Sequence, residues 1–378
     1  MPIQRAKPRF TEVKNVSNIT ANQLDIGQIG GRRNIIINGA MQVAQRGTSS
    51  TSTGRQTLDR FEAIASSFGE ATVTQSQDST SPDEFGKSYK VAIGSTAETV
   101  GASEQQYIRY KVEAQDLQQL KYGTSDAESM TLSFYVRSSV TGTFSISFYL
   151  NDSNKNHVKT YTINSADTWE RKTITVTGNT SDAINNDTGI GLSIHWFLTL
   201  GSSYLGNTSS LNSWVTYGNS NFAANVNPNF GANSNATFFL TGVQLEVGSV
   251  ATPFEHRSFG EEIALCQRYY TVIADGSYAS GQGAFGVGAM YGTTVAYGAV
   301  DLPTEMRSNP SVESTDASNY MVFYRAGAGD LIDEVAFSIS HPNRVEFFNQ
   351  TDISGTSGHA GFFRLNSTSA RLAAKAEL

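Results

Sequence analysis

The sequence predicts an all-β protein: a β-sandwich followed by a short helix and a second, C-terminal β-sandwich-like domain, with an extended N-terminal arm. Three observations predict it. Charged residues make up only 16% of the 378-residue chain, while Gly, Ser, Thr and Asn are abundant, a mixture suited to short strands and polar turns. The 21 Phe and 16 Tyr supply the large apolar area that sandwich cores need. Apolar and polar residues also alternate over many short runs, the period of a half-buried strand.

In chain order, residues 1–33 hold few large side chains, with Gly27, Gly30 and Gly31 close together. That is too little apolar surface to fold alone, so an arm ordered by a partner is expected. Residues 34–39 (Asn-Ile-Ile-Ile-Asn-Gly) read as a short buried strand and a turn. In 130–137, Leu132, Phe134 and Val136 fall opposite Ser133, Tyr135 and Arg137. Phe144, Ile146, Phe148 and Leu150 repeat the pattern, so the two runs predict a hairpin. Strands are also expected at 169–176, 190–200 and 238–247. Ile190, Leu192, Ile194, Trp196, Leu198 and Leu200 share one face of the second of these. A long Gly/Ser/Asn-rich loop spans 201–236 and carries Tyr204, Trp214, Tyr217 and Phe222; a loop of that length is functional or ordered by a neighbour.

Ser258-Phe259-Gly260-Glu261 is a capping-box pattern that opens a helix. Ile263, Cys266 and Tyr270 then share one side, with Leu265 and Tyr269 on an adjacent one. A second β block follows from Thr271. Its first part, 276–298, is dense in Gly and aromatics, and strands are visible at 320–324, 334–339 and 345–348, with a final one in 370–378. The organisation expected is an arm at 1–33, a β-sandwich at 34–256, a linking helix at 257–270 and a C-terminal β domain at 271–378.

The net charge of −7 is uneven: residues 1–60 carry nine basic and three acidic groups, leaving the remainder at −13. The arm lacks a dense Lys/Arg run and an interleaved aromatic platform. It therefore reads as a docking element for an acidic protein surface and not for nucleic acid. Cys266 is the only cysteine, so neither an intrachain disulfide nor a Cys-rich metal site is available, which fits assembly in a reducing cytoplasm. No apolar run approaches 18 residues and no secretory h-region is present, so no membrane insertion is expected.

Four segments resemble tail-fibre and other virion structural proteins of tailed bacteriophages that carry a carbohydrate-binding-module-like jelly roll. They are Arg33-Asn34-Ile35-Ile36-Ile37-Asn38-Gly39-Ala40-Met41-Gln42-Val43 with Gln45-Arg46-Gly47-Thr48 and Leu58-Asp59-Arg60-Phe61; Ser210-Leu211-Asn212-Ser213-Trp214; residues 238–270; and Leu302-Pro303-Thr304-Glu305-Met306-Arg307-Ser308-Asn309-Pro310. The resemblance implies that 34–256 is a carbohydrate-binding-module-like jelly roll, and it implies a homotrimer, an arm that attaches to the virion's tail or neck proteins (Arg5, Lys7, Arg9, Arg32 and Arg33), and a distal part, the β domain at 271–378, that meets a host glycan or protein receptor. Many related sugar-binding jelly rolls hold a calcium ion through acids in the closing strand. Here that strand offers Gln244 and Glu246 without paired acids, so no metal and no cofactor is expected.

Sugar recognition needs flat aromatic faces with polar groups at the rim. Tyr135, Arg137, Tyr149, His195 and Phe197 fall opposite the apolar positions and are candidates, as are Tyr204 and Tyr217 of the long loop. The competing reading for the strand residues is packing against a neighbouring protomer or domain. For Trp214 a plug at the end of the core is preferred, and Trp196 belongs to the core. The helix residues Ile263, Leu265, Cys266, Tyr269 and Tyr270 are candidates for a trimer or domain junction. Aromatics in 276–298 are a further sugar candidate, explained equally well by packing at a threefold axis.

No enzyme is expected. Asp152, Asp167, Asp182 and Asp187 lie in turn-like settings, and the five His show no ligand spacing. The alternatives kept open are a capsid or neck decoration fibre without a receptor role and, less favoured, a glycan depolymerase spike.

Overall fold

The computed structural model describes residues 32–205, 211–226, 228–278, 283–315 and 318–378. The first sandwich begins with β1 (Ser49–Ser50), β2 (Phe61–Ser66), β3 (Val73–Asp78), β4 (Ser88–Ile93), β5 (Gln105–Glu113) and β6 (Met130–Ser138). It continues with β7 (Gly142–Leu150), β8 (Lys155–Ile163), β9 (Glu170–Val176), β10 (Ile190–Leu200), β11 (Val215–Thr216) and β12 (Thr237–Val247). These strands form two six-stranded antiparallel sheets, ordered β1-β3-β4-β12-β6-β9 and β11-β8-β7-β10-β5-β2. Their inner faces share one core in which Phe134, Phe144, Phe148, Trp196 and Phe238 are fully buried. The result is a two-sheet sandwich, as the alternation predicts, of the jelly-roll type that the resemblance implies.

Two local expectations change. The runs at 130–137 and 144–150 are strands but not a hairpin: β6 pairs with β12 and β9, while β7 pairs with β10 and β8. Alternation says only that both runs have one apolar face. Placing them in opposite sheets turns both faces into the same core. Residues 34–39 are buried but join no ladder. The Ile36 N–H goes to Asn34 Oδ1, the Ile37 N–H to the Tyr110 hydroxyl and the Asn38 N–H to Glu262 Oε1. Buried backbone donors are obligatory bonders: the Ile35 N–H donates to the Leu245 carbonyl of β12, and side chains take the donors that no strand reaches.

The segment 241–248 owes its sequence to a bulge, with the register of β12 against β6 shifting between Thr241 and Gln244. Gly242 has φ of 59°, and a Cβ there would lie 2.6 Å from Phe85 Cζ. Both conformation and space therefore require glycine. Beyond the bulge, Gln244 Oε1 accepts from the Glu255 N–H, and Glu246 accepts from the N–H and hydroxyl of Thr252. These polar side chains hold the chain's exit from the sandwich.

Helix α1 (Phe259–Gln267) opens with Ser258 as N-cap and both capping-box bonds to Glu261. It ends earlier than its apolar pattern suggests: Tyr269 lies in a turn and Tyr270 begins a strand. Cys266 and Tyr269 are buried with Ile37 and Val43, and Ile263 and Leu265 pack beside them. The helix thus seats on the start of its own jelly roll.

The second block contains β13 (Tyr270–Asp275), β14 (Ala284–Met290), β15 (Ala296–Asp301), β16 (Ser311–Ser314) and β17 (Met321–Arg325). After these come β18 (Ala328–Ile332), β19 (Ala336–His341), β20 (Arg344–Asn349), β21 (Ala360–Leu365) and β22 (Arg371–Lys375). A three-stranded sheet, β13-β22-β16, packs on one face of a seven-stranded sheet, β18-β17-β21-β14-β15-β20-β19. Phe285, Phe323, Phe347, Phe363 and Leu372 fill the space between. A Cβ at Gly298 would sit 2.7 Å from Phe347 Cζ and 3.0 Å from Phe363 Cε2. The Gly-aromatic density of 276–298 therefore reflects, in part, bare backbone facing large rings inside one sandwich.

The two blocks are joined by buried charge. Arg60, 1% exposed, donates to Glu377 Oε2 at 2.9 Å and to the Lys111 carbonyl at 2.7 Å, with its guanidinium 3.5 Å from the Tyr269 ring centroid. Glu377 also meets Arg46 at 3.2 Å and Arg55 at 3.4 Å. Nearby, Glu113 accepts from Arg268 Nη2 at 2.6 Å and from the Tyr269 hydroxyl at 2.8 Å. Arg307 donates to the carbonyls of Ala376, Glu377 and Thr188. Asp59 accepts from the backbone and side chain of Gln45, whose Nε2 also reaches the Tyr270 carbonyl.

Two predictions follow from this junction. Glu377→Gln leaves three arginines around a neutral amide, so urea unfolding should show a loss of about 3 kcal/mol. Burial raises the Asp59 carboxyl to about 6 against the bonds from Gln45 and the nearby Arg46. Because this folded-state value lies above the unfolded one, its stabilising contribution is complete below about pH 4 and is lost as pH rises through about 6. Across pH 4 to 6 this contribution should fall by about 2 kcal/mol, a slope that stability measurements on the wild type should show and that Asp59→Asn should flatten.

Candidate functional site

The structure divides the candidate sugar contacts between two outer faces. Tyr135 and Arg137 lie on β6, in the sheet that contains β12, whereas Tyr149 (β7), His195 and Phe197 (β10) lie on the other sheet. Alternation places all five away from the core but does not say which sheet each strand joins.

On the β10 face, five of the seven candidates converge, and they converge on each other. Phe222 of the long loop inserts there, with ring centroids 4.7 Å from Phe197, 5.1 Å from His195, 5.5 Å from Tyr217 and 6.3 Å from Tyr204. Tyr217 in turn lies 5.3 Å from Tyr149. The loop is pinned by Asn156 Nδ2, which donates to the Asn221 and Phe222 carbonyls, and by the Ala224 N–H, which donates to Ser145 Oγ. Phe197 is 2% exposed and His195 4%. Neither offers a free face to a sugar, so the expectation for these two residues is corrected. The competing reading, packing, applies, and the cover is the chain's own loop. Burial, reinforced by Arg109 and Lys111, lowers the His195 pKa well below its usual value and keeps the imidazole neutral.

On the β12 face, Tyr135 is half-buried against Phe85, which meets Phe254 edge-on and His256 at a tilt. Arg137 bonds the Asp167 carbonyl and carboxylate and lies 5.0 Å from the Phe239 ring centroid. These residues brace the sheet's outer surface and its exit loop. Trp214 packs against the end of the core and donates to the Thr177 carbonyl; Trp196 is fully buried.

Arg5, Lys7 and Arg9 lie outside the described residues. Arg32 is exposed, but Arg33 is tied to the sandwich: its N–H donates to Glu255 and its guanidinium to Thr252 Oγ1. Of the helix candidates, Cys266, Tyr269 and Tyr270 are buried within one chain at the domain junction. Burial pushes the Cys266 thiol up, away from reactivity.

The open aromatic face lies elsewhere, on the side of the seven-stranded sheet away from its core. Strand pairing aligns Tyr324, Phe362, Val287, Ala299 and Glu346 in one row across five strands. The adjacent row holds Ala360, Ala289, Tyr297, Phe348 and Ala336. Tyr324 stacks on Phe362 at 5.5 Å and Tyr297 on Phe348 at 5.4 Å, with the Arg364 guanidinium 4.3 Å from the Tyr324 centroid. Tyr291 is 80% exposed, Val287 74% and Phe362 42%. A shallow groove of 640 Å³ runs over Val287, Tyr291, Tyr297, Ser338, Ile339 and Glu346. Flat rings suit the C–H side of a pyranose, and the Glu346 carboxylate with the Ser338 and Tyr291 hydroxyls can meet its oxygens. Among the described residues, no group of three or more His, Cys, Asp or Glu could hold a metal ion.

No family model and no curated protein matches the chain. Among solved structures, the enzymatically active domain of bacteriophage CBA120 tailspike protein 4 aligns over 57% of this chain and 21% of its own, with 11% identity and a TM-score of 0.30. The family 11 carbohydrate-binding module of a cellulosomal cellulase from Clostridium thermocellum aligns over 56% of this chain and 98% of its own, with 13% identity and a TM-score of 0.27. The CBM22-1–CBM22-2 tandem domain from Paenibacillus barcinonensis aligns over 93% and 100%, with 7% identity and a TM-score of 0.27. At these scores no residue role is transferred to this chain.

The self-covered face makes its own prediction. Phe222→Ala should cost about 3 kcal/mol in urea unfolding and make the native protein bind a hydrophobic dye. An unchanged stability would show that Phe222 does not seal the β10 face.

Proposed function

We propose that this chain is a non-enzymatic structural component of a phage virion, a homotrimeric tail fibre that contacts host-surface glycan through the outer face of its seven-stranded sheet. The basic arm, residues 1–33, would attach it to other tail or neck proteins, and the jelly roll would form the body. The observation that carries the binding assignment is the pair of aromatic rows, exposed in the distal block while the comparable face of the jelly roll is sealed by Phe222. Many weak stacking contacts presented three times give useful avidity without a deep pocket.

The carboxylates considered for catalysis favour a binding role. Asp152 holds the Asn185 N–H and side chain, Asp167 pairs with Arg137, Asp182 accepts from Asn179, and Asp187 accepts from the Gly189 N–H. Glycoside hydrolysis needs two carboxylates flanking one bond. Among the described residues lining the groove, Glu346 is the one carboxylate.

A second reading is favoured by the aliphatic share of the same face, with Val287 74% and Ile339 52% exposed: a protomer of the trimer could cover it. The two separate experimentally. Light scattering after size exclusion should give three times 40.8 kDa for the wild type. Tyr297→Ala and Phe362→Ala should each weaken binding to an array of bacterial surface glycans at least tenfold while keeping that mass. Variants that lose the trimer would assign the face to protomer contact, and a monomeric wild type would remove the fibre assembly.

A further inference from the structure

The junction between the two blocks contains a cavity of 290 Å³ on its solvent side. Arg46 and Arg55 line it from the jelly roll, and Arg371 and Lys375 line it from β22, against the carboxylates of Glu313 and Glu377. Four cations thus face two anions in the lining, and behind it Glu62 lies 3.4 Å from Arg55 Nη2 and Asp275 3.8 Å from Arg371 Nε, while Glu377 Oε1 has no hydrogen bond of its own. Both carboxylates are already engaged: Glu377 is shared among Arg46, Arg55 and Arg60, and Glu313 accepts from the Tyr270 hydroxyl at 2.7 Å and lies 3.8 Å from Lys375 Nζ.

The guanidinium groups are held but not saturated. Arg371 Nη1 donates to the Arg46 carbonyl at 2.7 Å and Nε lies 3.8 Å from Asp275, while Nε and Nη2 are buried with no hydrogen-bond partner. Arg55 Nε and Arg46 Nη1 are likewise buried without hydrogen bonds, their contacts with Glu377 being ionic only. The Arg46 side chain is 6% exposed and lies over the Tyr270 ring, 3.6 Å from the centroid, so its position is fixed. Crowded cations show in the chemistry: burial and the neighbouring Arg60 and Arg109 lower the Arg55 pKa despite Glu377 and Glu62. Arginine forks matched to a compact oxyanion are the natural complement of such a surplus.

We propose that this cavity is an anion site for a tetrahedral oxyanion, phosphate or sulfate, either free or carried on an acidic glycan. The ligand would bridge Arg46 and Arg55 of one block to Arg371 and Lys375 of the other, so its binding would tighten the junction. The site is separate from the aromatic face, and the two assignments stand or fall independently.

The test is calorimetric titration of the full chain with inorganic phosphate and with sulfate at fixed ionic strength. A parallel arm compares a sulfated oligosaccharide with its neutral counterpart. One saturable site is expected, accompanied by a rise in unfolding temperature, with Arg371→Gln weakening binding at least tenfold. Lys375→Gln, at a residue whose side chain is 48% exposed, keeps the test valid if the arginine variant fails to fold, and should also weaken binding. Saturation by the inorganic ions alone assigns a free anion; tighter binding of the sulfated saccharide than of either ion assigns an acidic glycan. No saturable binding in either arm, or affinities unchanged in both variants, overturns the site.

Discussion

The buried contact between Arg60 and Glu377 is the constraint from which the rest of the junction follows. Two charges taken out of water are tolerable only if their bonding groups find other partners in the interior. Here the supply is shared: the Lys111 carbonyl and the Tyr269 ring serve Arg60, while Arg46 and Arg55 serve Glu377. Arg60 reaches this position from a left-handed backbone conformation, φ 72°, that costs a non-glycine residue on the order of 1 kcal/mol. The strain is held by the Glu377 carboxylate, the Lys111 carbonyl and the Tyr269 ring, which fix the side chain although Arg60 Nε has no hydrogen-bond partner. One consequence is that β22, in the final stretch of the sequence, is held against residues near its beginning, and the jelly roll and the distal block are clamped together.

That clamp orders the surfaces on either side. The jelly roll spends its exposed aromatic residues on its own loop, through Phe222, and so presents a closed body. The distal sandwich does the opposite. Its glycines face inward, where Gly298 leaves room for Phe347 and Phe363, and its stacked rings face outward. The open, weakly charged aromatic face of the second block offers many small contacts in place of one deep pocket. The aromatic face and the cationic cavity offer chemically distinct partners, one apolar and flat, the other anionic and compact.

Much of this architecture was legible in the residues, and the failures are specific. Alternation located β6, β7, β10 and β12, because a half-buried strand cannot hide its period. It could not assign sheets, so Tyr135 and Arg137 were grouped with Tyr149, His195 and Phe197 although they lie on the opposite side. Of the resembling segments, the distinctive wording of residues 33–43, 45–48, 58–61, 238–270 and 302–310 also has a physical origin. Asn38, Arg46, Asp59, Arg60, Glu262, Arg268, Tyr269 and Arg307 all bond at or beside the junction. These residues of the motifs serve contacts within one chain. The Phe222 seal was invisible because it sits in a polar loop with no period. A signal for the distal face was present and missed: Phe347-Phe348 and Phe362-Phe363 are consecutive aromatic pairs within strands. At a period of two, each pair must put one ring into the core and one outside.

The central claim is that the two β blocks form one cooperative unit through the buried junction. Native-state hydrogen exchange at rising denaturant tests it most directly, by following amides of β10 in the jelly roll and of β20 and β21 in the distal block. The account predicts that both sets merge into a single opening of equal free energy and equal denaturant dependence. Exchange of the distal strands through a separate, lower-energy opening, while β10 stays protected, would contradict it.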